Sequence, residues 1–307
     1  MNNKVVLVGC GNVGMAYAYA LLNQKDYVNE LILIDINKDK VIGEAMDLNH
    51  CLAYSPSKIK VKAGDYSDCK DAKIVVIAAG ANQNVGETRM DLIHKNSIIF
   101  KSIVKEVMNS GFEGIFLVAT NPLDVMTYLT LVYSGLPKNK VIGSGTTLDT
   151  ARLRFMLSEK LDICPKNIEA YVIGEHGDSE FIPWSNANIA LKKISSVLTK
   201  EEMLKIEEDV RNSAYEIINK KGATAYGIGM CLVRITNAIL EDKKIILPVS
   251  SWDKQNKICI STPAVVGKDG VNEKIFIPLT EEEKLKLVNS INVIKEAINN
   301  IKIDDVN

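Results

Sequence analysis

Three histidines occur in the 307 residues, and one has a setting suited to chemistry. His176 lies in Gly174-Glu175-His176-Gly177-Asp178, directly after the apolar run 168–173. An imidazole at a strand end, with small neighbours, can give or take a proton near neutral pH. His50, closing Asp47-Leu48-Asn49-His50, fits a structural place after its helix. His94 falls on the expected solvent side of a helical run. Asp149 and Arg152 are three apart in the helical pattern 148–161, so they share a face. An Arg fork binds both oxygens of a carboxylate, and an Asp can orient an imidazole and stabilise its charged form. A second cation, Arg89, ends the polar stretch 80–89, which contains Gly80 and Gly86. Asn121-Pro122-Leu123-Asp124 follows another apolar run. A proton donor, a carboxylate clamp and a cation able to polarise a carbonyl are what reduction of a 2-oxo acid demands.

The reductant has a place too. Gly9-Cys10-Gly11-Asn12-Val13-Gly14 follows a strand pattern and opens a helix pattern. In such a G-x-G-x-x-G turn the first glycine permits the tight bend. The second admits the pyrophosphate, and the third lets helix and strand pack closely. The helix N-terminus offers free N–H groups and a positive dipole end to the phosphates. Asp35 ends the next strand pattern, where a carboxylate accepts from both ribose hydroxyls and repels a 2′-phosphate. The cofactor expected is therefore NAD rather than NADP.

The elements that must position these residues alternate. Apolar runs at 5–8, 31–35, 59–63, 74–79 and 115–119 read as buried parallel strands, and helical patterns at 13–22, 41–48 and 92–108 lie between them. Gly111 reads as a helix stop. The second half has helices at 148–161, 199–220 and 224–240. Capping-box pairs stand at Thr199/Glu202 and Thr280/Glu283, and antiparallel strands are expected at 245–250, 257–261 and 274–278. The fold class expected is α/β, a Rossmann-type doubly wound parallel sheet at 1–143 followed by an α+β catalytic domain at 144–307. Net charge is −1 without a dominant basic cluster, which argues against a nucleic-acid partner. No apolar run approaches the length that crosses a bilayer, so no membrane partner is expected. Six cysteines without a C-x-x-C pair suit reduced thiols in the cytoplasm and give no metal site.

Taken together, these motifs resemble the lactate/malate dehydrogenase family, in particular its bacterial lactate-type members, over essentially the whole chain. The resemblance implies that His176 is the proton donor and acceptor, with Asp149 as its partner. Arg152 then clamps the substrate carboxylate, and Arg89 polarises the carbonyl. Asn121 orients substrate and nicotinamide, Thr224 lines the substrate pocket and Ile228 packs on the nicotinamide. Gly9, Gly11, Val13, Gly14, Asp35 and Gly80 complete the cofactor site. Gln83 stands where malate-specific relatives carry an Arg, so pyruvate and lactate are the expected substrates. Malate and branched-chain 2-hydroxy acids remain alternatives, and a nucleotide-binding protein without catalysis is a more distant one. The family also implies a homotetramer. Arg154 matches an Arg through which some relatives bind fructose bisphosphate, and Asn186 is read as replacing the His that accompanies it.

Overall fold

The computed structural model describes residues 3–25, 27–81, 86 and 89–301, with Arg89 described by its backbone alone. The first half alternates β1 (Lys4–Val8), α1 (Asn12–Leu22), β2 (Glu30–Ile34), α2 (Lys38–Cys51), β3 (Lys60–Ala63), β4 (Ile74–Ile77), α3 (Arg89–Asn109), β5 (Ile115–Val118), α4 (Leu123–Ser134) and β6 (Val141–Gly143). These six strands are parallel, in the order β3-β2-β1-β4-β5-β6. Their side chains alternate between two cores. Val5, Leu7, Leu31, Leu33, Ile74 and Val76 face α1 and α2, while Val6, Val8, Ile32, Ile34, Val75 and Ile77 face α3 and α4. A strand buried on both faces must be apolar at every position, which is why the runs of β1, β2, β4 and β5 do not alternate with polar residues; β3, at the sheet edge, buries only Val61 and alternates it with lysines instead of being the buried strand expected.

The second half contributes α5 (Thr147–Leu161), β7 (Ile168–Glu169), β8 (Asn188–Ile189), β9 (Lys192–Lys193), α6 (Lys200–Lys221), α7 (Tyr226–Leu240), β10 (Ile245–Asp253), β11 (Ile258–Gly267), β12 (Gly270–Lys274) and α8 (Glu281–Asn299). Strands β10, β11 and β12 form an antiparallel meander. It extends the parallel sheet through the pair Ser250↔Gly143 to make nine strands. Helix α7 joins the core over α1 and α8 joins the core over α3 and α4, while α5 and α6 enclose a third core around Leu153, Leu157, Ile206 and Val210. Gly229 brings α7 against the backbone of Ala16 and Tyr17, where a Cβ would collide. Both capping boxes form, at Thr199/Glu202 and Thr280/Glu283. Gly111 sits just beyond α3 at φ +85°.

Four further elements depart from the sequence reading. The last strand is β12 at Gly270–Lys274, not 274–278, because the turn at Asp269-Gly270 returns the chain to the ladder at once, with Gly267↔Gly270 as its closing pair. The run 168–173 forms only a two-residue strand, and Ile173 and Gly174 make single bridges to Phe181 and Ser261. Helix α4 and strand β6 were not anticipated. Most of α4 is buried, so its sequence lacks a polar face to reveal a helical period, and β6 is only three residues long.

Candidate active site

The strand order reverses between β1 and β4, and the predicted cofactor residues gather at the carboxyl ends of the strands there. Gly9 has φ +102°, and a Cβ on it would strike the Ala79 backbone after β4. A Cβ on Gly14 would run into the Gly9 carbonyl oxygen, whereas one on Gly11 would meet nothing within 4 Å. The outer glycines are therefore fixed by packing, and the middle one leaves open space in front of the α1 N-terminus. Gly11 caps that helix with no side-chain bond, so the first N–H groups are available to a phosphate. Asp35 follows β2 and accepts from the Cys10 N–H at 2.8 Å, which places a carboxylate beside the glycine turn. Val13 is half-buried in the first turn of α1, and Ile228 half-buried in the first turn of α7. Gly80 abuts Thr120 and Asn96. The buried Asn96 side chain accepts from Ala81 N–H at 2.8 Å and donates to the Asn121 carbonyl at 2.9 Å, tying two cofactor-side segments together. These residues fit a dinucleotide without a 2′-phosphate.

His176, Asp149 and Arg152 meet in a cluster at the seam of the two halves. One Asp149 oxygen accepts from Arg152 Nη1 at 2.7 Å, and the other lies 2.7 Å from His176 Nδ1. Asp149 is 2% exposed, so both interactions act where water screens little. Burial favours the neutral form of Asp149, but the His176 and Arg152 charges and their hydrogen bonds outweigh it and hold the carboxyl below its usual range. Burial likewise opposes protonation of His176. The charge and hydrogen bond of Asp149, with Glu180 and Asp124 behind, overcome it and raise the imidazole to about 9. With Nδ1 committed to Asp149, the group left to face a ligand is Nε2.

Two acidic residues at this site had no assigned role in the sequence reading. Asp124, in the first turn of α4, accepts from the His176 backbone N–H at 2.7 Å and from Ser250 Oγ at 2.6 Å, with Ser261 Oγ at 3.3 Å. Burial raises it to about 6 despite these donors. Glu180 is 6% exposed, and its carboxyl approaches both Asp149 and His176. Asp124 closes a quoted motif and Glu180 lies four residues past His176, but nothing local marks either as facing the histidine.

The other predicted residues are distributed around this cluster. Asn121 is exposed between β5 and α4, and Thr224 is half-buried just before α7. Gln83 and the Arg89 side chain lie outside the described residues, although the Arg89 backbone starts α3. Arg154, on α5, donates to the Ala170 carbonyl at 3.1 Å and lies over the Tyr171 ring. Asn186 donates to Ser185 Oγ and the Pro278 carbonyl, so it shares no partner with Arg154.

A doubly wound sheet with a dinucleotide turn, joined to a buried His–Asp–Arg cluster, defines an NAD-dependent dehydrogenase of two-part construction. Residues 3–143 match the lactate/malate dehydrogenase NAD binding domain, and 146–303 match the lactate/malate dehydrogenase alpha/beta C-terminal domain, so the chain belongs to the lactate/malate dehydrogenase family. It is 50% identical to L-lactate dehydrogenase 2 of Bacillus anthracis and 52% identical to L-lactate dehydrogenase of Bacillus pumilus, in each case over 96% of this chain and 97% of the relative. Among solved structures it is similar to MGS-M5, a lactate dehydrogenase from a Medee basin deep-sea metagenome library. That match has TM-score 0.95 and 51% identity over 97% and 98% of the two chains. It is also similar to the ligands-bound form of minor L-lactate dehydrogenase from Enterococcus mundtii, with TM-score 0.96 and 43% identity over 98% and 99%.

Proposed function

We propose that this chain is an L-lactate dehydrogenase, interconverting pyruvate and (S)-lactate with NADH and NAD+. The observation that carries the reading is the Asp149 carboxylate joining Arg152 and His176, each at 2.7 Å. In the proposed reaction Arg152, held at one nitrogen by Asp149, offers the rest of its fork to the substrate carboxylate. His176 Nε2 then donates its proton to the ketone oxygen as charge develops there, and Asp149 keeps the ring oriented. Bound NADH supplies the hydride. Its pyrophosphate would rest on the turn from Gly9 to Gly14, its adenine ribose on Asp35, and its nicotinamide between Asn121 and Ile228. Thr224 and Gln83 would shape the space beyond the keto carbon, and Arg89 would polarise the carbonyl.

We propose a homotetramer, supported by apolar side chains left exposed on outer helices: Ile42 and Met46 on α2, Phe155 on α5, and Tyr226 and Met230 on α7. A cytoplasmic location is supported by six free cysteines. No helix among the described residues is long and apolar enough to cross a membrane. Sugar bisphosphate activation is proposed to be weak, because Asn186 is neutral and the Arg154 side chain is engaged by Ala170 and Tyr171. NADH oxidation with a panel of 2-oxo acids tests the central reading. Pyruvate should be turned over best, and indifference to every 2-oxo acid would overturn it.

A further inference from the structure

The His176–Asp149 pair has a third member. One Glu180 oxygen, one Asp149 oxygen and one His176 ring nitrogen lie within 4.8 Å of one another. Glu180 is held there by its backbone, its N–H donating to the Gly177 carbonyl and its carbonyl accepting from Arg211 Nη2. The two cations nearby are each engaged at one nitrogen. Arg152 Nη1 is bonded to Asp149, and Arg211 Nη2 is paired with Glu207. Among the described residues no salt bridge reaches the Glu180 carboxyl. The groups facing the cluster are Asp149 and Arg152 from α5, Asp124 from α4, Arg211 from α6, Cys231 from α7, and His176 from Glu180's own loop.

Two carboxylates this close in a buried site do not both ionise easily. Asp149 has Arg152 and His176 on its oxygens and keeps its charge. Resting on the pyruvate reading above, we infer that Glu180 holds a proton when the 2-oxo acid binds, so that binding depends on two protons, one on Glu180 and one on His176. Burial and the Asp149 charge raise the Glu180 carboxyl well above its ordinary range, in keeping with this. With Glu180 neutral, Asp149, Arg152 and protonated His176 leave one net positive charge for the incoming carboxylate. Ionised Glu180 cancels that charge and adds a negative group beside the clamp. During reduction only the His176 proton moves, to the ketone oxygen as hydride reaches the carbon, and the Glu180 proton stays.

The test is kcat/KM for pyruvate reduction against pH in wild type, Glu180→Gln and Glu180→Asp, with NADH binding as a check on folding. Above both ionisations, log kcat/KM in wild type should fall with a slope near two. Gln, permanently neutral, should give a slope near one, and Asp should restore the second proton. A slope of one in wild type, or two in the Gln variant, overturns the inference. A wild type inert toward every 2-oxo acid defeats the functional reading instead. A second measurement needs no variant. Calorimetry of oxamate binding to the wild-type NADH complex, in alkaline buffers of differing ionisation enthalpy, should show proton uptake approaching two, and uptake limited to one overturns the inference.

Discussion

Replacing Asp149 by Asn asks whether one carboxylate sets the acidity of this site. His176 is held up to about 9 against an ordinary 6.5, although burial pulls the other way. The gap is worth about 3 kcal/mol in favour of imidazolium. Asn keeps the shape but not the charge, so the histidine should return to its ordinary value or fall below it. At about pH 8 the wild-type ring is then roughly nine-tenths protonated and the variant ring about 3% protonated, a loss of about thirty-fold in pyruvate reduction from protonation alone. Near pH 6, with the variant ring at its ordinary value, that component shrinks to less than about twofold. Loosening of Arg152 adds a loss common to both conditions. The assay is kcat/KM from about pH 5.5 to 9.5, with a proton-resonance titration of His176. A loss of equal size at pH 6 and pH 8 would refute the reasoning. Stability carries the same signature. Because the folded value lies above the unfolded one, the contribution of His176 is complete below about pH 6.5 and is lost as pH rises through about 9. The thermal midpoint of wild type should decline across that window, and that of Asp149→Asn should lack this component.

Gln83→Arg should turn preference from pyruvate toward oxaloacetate, since a cation there would pair the second carboxylate; relative kcat/KM for the two acids checks it, and an unchanged pyruvate preference counts against it. Asp35→Ser should narrow the gap between NADH and NADPH by about tenfold or more, read from kcat/KM for each cofactor, by removing both the ribose acceptor and the like charge. Gly14→Ala should cost about 3 kcal/mol or more of stability, measured by urea unfolding, because its Cβ meets a backbone carbonyl that cannot rotate away.

Strands β1, β2, β4 and β5 were legible because they are almost wholly buried on both faces and so read as apolar runs, whereas the edge strand β3 buries only Val61 among its four residues. The nearly all-buried α4 was not, for a related reason: with no solvated face there is no period. Asp149, Arg152 and His176 could be named from residue type and helical spacing. Asp124 and Glu180 could not be given roles, since what they do depends on two loops and two helices meeting. Joining of the meander to the sheet at Ser250↔Gly143 is likewise a tertiary contact without a local pattern. The placement of β12 was missed because Asp269-Gly270 marks a turn without saying where pairing resumes.

His176 is suspended at two points. Its peptide N–H hangs from Asp124 on a helix of the first half, and its ring hangs from Asp149 on a helix of the second. Sliding one half against the other would stretch one tether or twist the ring off its partner, so the histidine acts as a gauge of alignment between the halves. A hinge at this seam would spoil the acid before it served any closing motion. Mutations that merely loosen the joint should therefore register as poor turnover in protein that is still fully folded.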